Sequence, residues 1–202
     1  MSGSSGFYVT VENVVASGDI GCRVSLEKAV KAYPGAYRTR GFPAVAFKFR
    51  SRKLKASVLV FKNGKLICSG ARSVEDALKA LKKTVSILRA AGIKTEKFEA
   101  KIENIVASCG LGLEYNMDVL AETLPHSLYE PDYFPGLVYR MENPKTAVLI
   151  FPRGKAIVAG LKTEEEIYKA TKNLRQTIQN ILQATTTKYE VPLGEVAERN
   201  VF

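Results

Sequence analysis

VENVVAS at Val11–Ser17 and IENIVAS at Ile102–Ser108 decide the fold, because they are near copies set 91 positions apart. Working outward, GFPAV at Gly41–Val45 recurs as YFPGL at Tyr133–Leu137, offset by 92. SVLVFKNGK at Ser57–Lys65 recurs as AVLIFPRGK at Ala147–Lys155, offset by 90. SGARSVED at Ser69–Asp76 recurs as AGLKTEEE at Ala159–Glu166, again offset by 90. The blocks keep their order. The period is too long for a solenoid, and there are only two copies. The chain is therefore read as a duplication. A leader covers 1–6, a first repeat Phe7–Lys97, a second repeat Phe98–Ala184 and a tail 185–202, with the repeats packed as a pseudo-two-fold pair.

Each half reads as strands followed by a long helix. Ser73 stands as an N-cap before Glu75 and Asp76. Val74, Ala77, Leu78, Leu81, Val85 and Leu88 follow at helical spacing, and Gly92 supplies the stop. In the second half Thr163 and Glu166 form a capping box. Its apolar stripe is Ile167, Ala170, Leu174, Ile178, Ile181 and Leu182. Both stripes are core. Shorter helices are expected near Leu26–Ala32 and Met117–Leu124, each ended by a proline. Asn63-Gly64 between two β-rich runs is a hairpin signal, and Arg153-Gly154 sits at the matching place. Four or five strands and two helices per half predict an α+β fold, an antiparallel sheet with helices on one face.

The free face of such a sheet should be polar, and this one is not. In Ser57–Phe61, Leu59 and Phe61 share one face while Val58 and Val60 share the other. Strict alternation along Val9–Val15 puts Val9, Val11, Asn13 and Val15 together, opposite Tyr8, Thr10, Glu12 and Val14. A second apolar surface is left once the helices are packed, which marks a binding site or a dimer interface. Phe42, Phe61, Phe134 and Phe151 all lie in the repeated blocks. Two precede hairpin turns, two open the strand before, and Lys65 and Lys155 follow. Phenylalanine pairs beside basic residues, at both ends of an apolar sheet, suit insertion between DNA base steps.

Composition agrees with a polyanion partner. Thirty Lys and Arg against 20 Asp and Glu give a net charge of +10. Residues 7–98 carry 19 basic and 6 acidic side chains, net +13, whereas 99–184 carry 9 and 11, net −2. The two halves share a fold signal and meet different partners. One histidine, His126, leaves no His pair for a metal. Cys22, Cys68 and Cys109 are scattered, without C-x-x-C, and read as reduced thiols. No apolar run is long enough for a membrane span. There is no Ser/His/Asp set and no phosphate loop, and the G-L-G at Gly110–Gly112 is too short to mean anything. The expectation is no enzyme, no cofactor and no metal.

At this point the residues resemble the conserved core of the TATA-binding protein family. The resemblance rests on VENVVAS with Gly21-Cys22, on SVLVFKNGKLICSGARS, on IENIVAS and, most specifically, on YEPDYFPGLVYR at Tyr129–Arg140. It implies a saddle: one continuous curved antiparallel sheet, helices on the convex side, and the concave side on a widened minor groove. The family is itself a standard example of wedge insertion into DNA. By resemblance, Phe42, Phe61, Phe134 and Phe151 intercalate. Asn13, Val15, Leu59, Ser69, Asn104, Val106, Leu149 and Ala159 contact the minor groove. Lys48, Lys55, Lys65, Arg140, Lys145 and Lys155 contact phosphates. Glu130 and Asp132 receive a IIB-type initiation factor, while Arg38 and Arg40 at the equivalent first-repeat loop repel it. Further initiation factors on the basic first repeat and a homodimer in the absence of DNA are also expected.

Two departures bear on function. Family members usually place threonine where this chain has Ser69 and Ala159, so one groove hydrogen bond is lost and sequence preference relaxes. Phe42 to Phe61 spans 19 positions against 17 from Phe134 to Phe151, so about two extra residues lie in Ser51–Lys55, leaving the matching of Lys55 open. The functional expectation is a factor that binds and bends TATA-like promoter DNA and nucleates preinitiation-complex assembly. The alternative is a paralogue acting as a protein scaffold with relaxed DNA specificity. Location follows origin: nucleus if eukaryotic, cytoplasm at the nucleoid if archaeal, with the basic first repeat leaning toward the former.

Overall fold

The computed structural model describes residues 6–189, so the leader to residue 5 and the tail from residue 190 lie outside the described residues. The first half runs β1 (Tyr8–Asp19), α1 (Leu26–Lys31), β2 (Ala36–Arg38), β3 (Ala44–Ser51), β4 (Leu54–Phe61), β5 (Lys65–Ala71) and α2 (Val74–Ala90). The second repeats it as β6 (Glu99–Gly110), α3 (Met117–Thr123), β7 (Ser127–Leu128), β8 (Leu137–Glu142), β9 (Lys145–Phe151), β10 (Lys155–Leu161) and α4 (Glu164–Tyr189). All ten strands join one antiparallel sheet in the order β2-β3-β4-β5-β1-β6-β10-β9-β8-β7. That order reads the same from either end once the repeats are exchanged. β1 pairs with β6 at the centre, and Val14 faces Ile105. These two residues hold the same place in their repeats, so the pseudo-two-fold axis passes between them.

Local chemistry sets the helices. Ser73 accepts the Asp76 N–H at 3.1 Å, the N-cap expected of it. Thr163 and Glu166 exchange hydrogen bonds at 3.1 and 3.2 Å, completing the capping box. Gly92, at φ 76, ends α2 just beyond its Ala91 cap. α2 buries Ala77, Ala80, Leu81, Thr84, Val85 and Leu88 on the sheet, and α4 buries Ile167, Ala170, Thr171, Leu174 and Ile178. Each large side chain removed from water here contributes about 1.5–3 kcal/mol. Thr84 and Thr171 enter the core because each hydroxyl bonds back to the carbonyl four residues earlier. On the convex face the two long helices meet end to end, where Glu164 accepts the Val74 N–H at 3.3 Å.

Two expectations need correction, and two are borne out with detail added. α4 continues to Tyr189, five residues past the boundary drawn at 184, so the start of the expected tail is helical. The Asn63-Gly64 hairpin forms, but around three residues: Val60 pairs with Leu66, Gly64 alone takes positive φ, and its N–H bonds Phe61 O at 3.0 Å. Its counterpart turns with both Arg153 and Gly154 at positive φ. The second correction concerns β1. Val11 pairs with Ala107 and Asn13 with Val106, so Glu12 is a bulge residue without a partner. The bulge reverses the alternation. Val9 and Val11 therefore pack on the core, and Asn13 and Val15 lie on the opposite face. The extra residues of the first repeat do sit in the β3–β4 turn, as expected. Lys48 pairs with Ser57 and Arg50 with Lys55, as Arg140 pairs with Ala147 and Glu142 with Lys145. Lys55 and Lys145 thus hold equivalent places, and the insertion lies within Ser51–Leu54.

Candidate nucleic-acid interface

Helices cover one face of the sheet. The other, concave face is arranged in symmetric rows across the strands. In the first repeat one row runs Lys48, Ser57, Ser69 and ends near Val15; in the second it runs Arg140, Ala147, Ala159, Val106. The next row outward holds Leu59 and Ile67 with Ser17, matched by Leu149 and Ile157 with Ser108. These residues alternate with fully buried Val58, Val60, Val148 and Ile150, whose side chains meet the helices. So the second apolar surface read from the sequence is present, and Ile67 is 39% exposed upon it.

Asparagines flank the pseudo-axis. Asn13 Oδ1 accepts the Gly70 N–H at 2.7 Å, and Asn104 Oδ1 accepts the Gly160 N–H at 2.8 Å. Gly70 and Gly160 stand at φ 79 and 106, in bulges that turn the N–H toward the asparagine. With each carbonyl oxygen so engaged, the side-chain NH2 is left as the free group, a donor on the concave face. Neither amide nitrogen has a partner among the described residues.

Two side chains missed in the sequence lie beside them. The Glu12 bulge has its symmetric copy at Glu103, between the Val15–Asn104 and Ala16–Ile102 pairs. Ser108 Oγ donates to Glu12 at 2.7 Å, and Ser17 Oγ donates to Glu103 at 2.6 Å. The bond from Ser17 and one from Lys101 hold the Glu103 carboxyl below the ordinary value. Near Glu103, Ser17, Asp19, Phe61, Lys65 and Ile67 line a groove of about 670 Å³. Its recurrence within VENVVAS and IENIVAS was the available signal; the bulge that turns it was not.

The phenylalanines pair at the two ends. Phe42 and Phe61 lie 6.1 Å apart between centroids at 24°, whereas Phe134 and Phe151 lie 5.8 Å apart at 71°. The difference follows from one position. Ala44 pairs with Phe61, but Gly136 stands at the corresponding place, and a Cβ there would come within 2.7 Å of Phe134 and 2.8 Å of Phe151. Phe42 and Phe134 are 45% and 40% exposed, more than half-buried core residues would be. Backbone anchors fix them: Thr39 Oγ1 donates to Phe42 O at 2.7 Å, Phe134 N donates to Glu130 O at 2.9 Å, and Tyr115 Oη donates to Phe151 O at 2.9 Å. Burial pushes the Tyr115 hydroxyl pKa up, so it stays a donor.

A family model described as transcription factor TFIID, or TATA-binding protein, matches residues 8–91 and again 99–181. The chain belongs to the TATA-binding protein family. The family's TATA-box-binding protein from Archaeoglobus fulgidus is 39% identical over 179 residues, covering 87% of this chain and 97% of that one. The one from Methanocaldococcus jannaschii is 40% identical over 175 residues, covering 86% and 94%. A solved structure of Methanococcus jannaschii TBP superposes with a TM-score of 0.75 at 40% identity, covering 85% of this chain and 98% of that one. These family members are archaeal, and the lean toward a eukaryotic-style member finds no support in them. The α+β fold with its duplicated, curved sheet is that of the family.

The remaining expected residues are placed as follows. Lys55, Lys65, Lys145, Lys155 and Arg140 are exposed along the concave face and its ends, and Lys48 sits 5.0 Å over the Tyr37 ring. Glu130 and Asp132 are exposed in the loop before Phe134, beside Tyr133, which is 90% exposed. Arg38 lies 3.6 Å from Glu27, and Arg40 is exposed. His126 does have a neighbour, Glu142 at 3.5 Å, and both are solvent-exposed. Among the described residues no group of His, Cys, Asp or Glu is placed to hold a metal, and no helix is long and apolar enough to cross a membrane.

Proposed function

We propose that the concave face is where this chain, a TATA-binding transcription initiation factor by family, receives promoter DNA and bends it. The observation that carries the assignment is the pair of asparagines locked by Gly70 and Gly160, donors outward, on an apolar floor. A·T and T·A pairs offer only acceptors in the minor groove, and guanine adds an amino donor. Amide donors set in a floor of Val15, Val106, Leu59 and Leu149 therefore accept A·T and reject G·C. Ser69 adds a hydroxyl in the first repeat, and Ala159 adds none in the second.

In this reading Phe42 with Phe61, and Phe134 with Phe151, enter base steps at the two ends of the site. Unstacking costs a few kcal/mol per step, less at flexible TA steps, which favours TATA-like sequences. Lys48, Lys55, Lys65, Arg140, Lys145 and Lys155 meet phosphates and set register. Glu130 and Asp132, with no ion pair among the described residues, offer a basic IIB-type factor an acidic loop at one end only, because Arg38 and Arg40 occupy the other. Similarity to archaeal relatives supports a location in the cytoplasm, at the nucleoid.

The test is a salt titration of binding to a TATA duplex and to a G·C-rich duplex of equal length. The expected result is a TATA preference that persists as salt rises. Equal affinities with the same steep salt slope would mean that only charge is at work and would overturn the reading. For the acidic loop, Glu130→Arg with Asp132→Arg should abolish ternary-complex formation with a IIB-type factor while DNA binding persists.

A further inference from the structure

The two halves of the concave face differ at one cross-strand pair. Ser57 of β4 faces Ser69 of β5, and at the equivalent place Ala147 of β9 faces Ala159 of β10. Both serine hydroxyls lie on the concave side, and neither makes a hydrogen bond with any described residue. On the alanine side the surface sinks into a depression of about 630 Å³, lined among others by Arg140, Lys145, Ala147, Ala159 and Gly160. The flanks do not differ in this way: Lys48 and Arg140 are both cations, and Val15 and Val106 are identical. One half thus presents two free hydroxyls where the other presents two methyl groups.

We propose that the Ser57–Ser69 pair and the Ala147–Ala159 pair make the half-sites chemically unequal, so that the first repeat tolerates a G·C pair that the second repeat rejects, and this difference orients the protein on DNA. The inference rests on the minor-groove reading above. A hydroxyl both donates and accepts. It can donate to adenine N3 or thymine O2, or it can turn and accept from the guanine amino group. A methyl pair can do neither. A guanine N2–H closed against it is a buried donor without a partner, and such groups carry a penalty of their own. On a palindromic A·T site the two orientations bind equally. With a G·C pair placed in one half, the protein sets its first repeat there.

The experiment uses the full chain with Cys22→Ser and a donor dye on Glu122→Cys, an exposed position of α3 in the second repeat. The acceptor is attached to one DNA end. The DNA is a palindromic A·T site in which each pair of one half is replaced in turn by G·C. Wild-type contacts should give equal occupancy of both orientations on the unsubstituted site. At the position beneath the serine row, a bias of about tenfold toward the first repeat on the G·C half is expected. Exchanging the pairs (Ser57→Ala, Ser69→Ala, Ala147→Ser, Ala159→Ser) should invert that bias, a result that loss of folding cannot produce. If TATA is preferred over G·C and the DNA bends, but no substituted site is bound with a bias, the inference is overturned and the minor-groove reading stands. A bias that the exchanged variant keeps overturns it equally. Failure to prefer TATA at all removes the minor-groove reading and the inference together.

Discussion

Replacing Asn13 or Asn104 with aspartate reverses one donor while changing almost nothing else. The backbone N–H of Gly70 lies 2.7 Å from Asn13 Oδ1, and that of Gly160 lies 2.8 Å from Asn104 Oδ1. Aspartate keeps that acceptor, and a charged acceptor strengthens the bond. Folding stability should therefore be unchanged or slightly raised. What changes is the outward group, from an amide donor to a carboxylate oxygen facing adenine N3 and thymine O2. The lost hydrogen bond is worth about 0.5–1.5 kcal/mol, and two acceptors left facing each other cost about 1–3 kcal/mol more. Each substitution should then weaken TATA binding by about 2–4 kcal/mol, roughly 30- to 1000-fold. Alanine at the same positions removes the donor without adding an acceptor, so its loss should stay near the smaller figure. Fluorescence anisotropy at fixed salt measures the affinities, and thermal melting checks the fold. Aspartate variants that bind as well as the alanine variants at pH 7.5 would refute the assignment of these asparagines as donors.

Other expectations follow from the same geometry. Gly160→Ala meets no crowding, since the nearest atom to its Cβ is Thr146 Oγ1 at 3.8 Å, so its cost comes from φ 106 alone, about 1–2 kcal/mol by thermal melting. Lys55→Ala and Lys145→Ala, at matching places in the two repeats, should each reduce the salt slope of DNA binding by about 1. Cys68 and Cys109 are buried, which pushes the Cys68 thiol up to about 12 and raises that of Cys109. Cys22 is only half-buried, though burial and the nearby Glu96 and Asp19 raise its thiol too. Cys22 alone should therefore react with a thiol reagent at pH 8 in the folded protein, slowly, and all three after denaturation. The Glu103 carboxyl is held low in the folded state, so its contribution to stability is present above the ordinary carboxylate range and is lost as pH falls through its folded pKa. Ser17→Ala should move that pKa upward in an NMR titration.

Much of this molecule could be read from repetition. Two copies of a ninety-residue pattern gave the pseudo-axis, and capping at Ser73 and Thr163 gave the long helices, because those signals are local. The four phenylalanines could be paired in advance because each recurs beside a turn. The face of Val9 and Val11 could not, since the bulge at Glu12 is a property of strand register between β1 and β6. The same bulge hid Glu12 and Glu103 as concave-face residues. The contrast between Ser57–Ser69 and Ala147–Ala159 was half visible. Ser69 and Ala159 stood out one at a time, while their partners became apparent only when β4 met β5 and β9 met β10. The end of α4 lay past the last repeated block, where no copy existed for comparison.

The account turns on whether the phenylalanine pairs drive the DNA out of its straight path. The most direct measurement is energy transfer between dyes at the two ends of a TATA duplex. It should be made for the wild-type chain and for the variant with Phe42, Phe61, Phe134 and Phe151 replaced by alanine, both at saturating protein. The account predicts a sharp shortening of the end-to-end distance for the wild type and none for the variant, with the variant still bound through its lysines. A wild-type complex that leaves the duplex straight, or a variant that bends it as far, would contradict it.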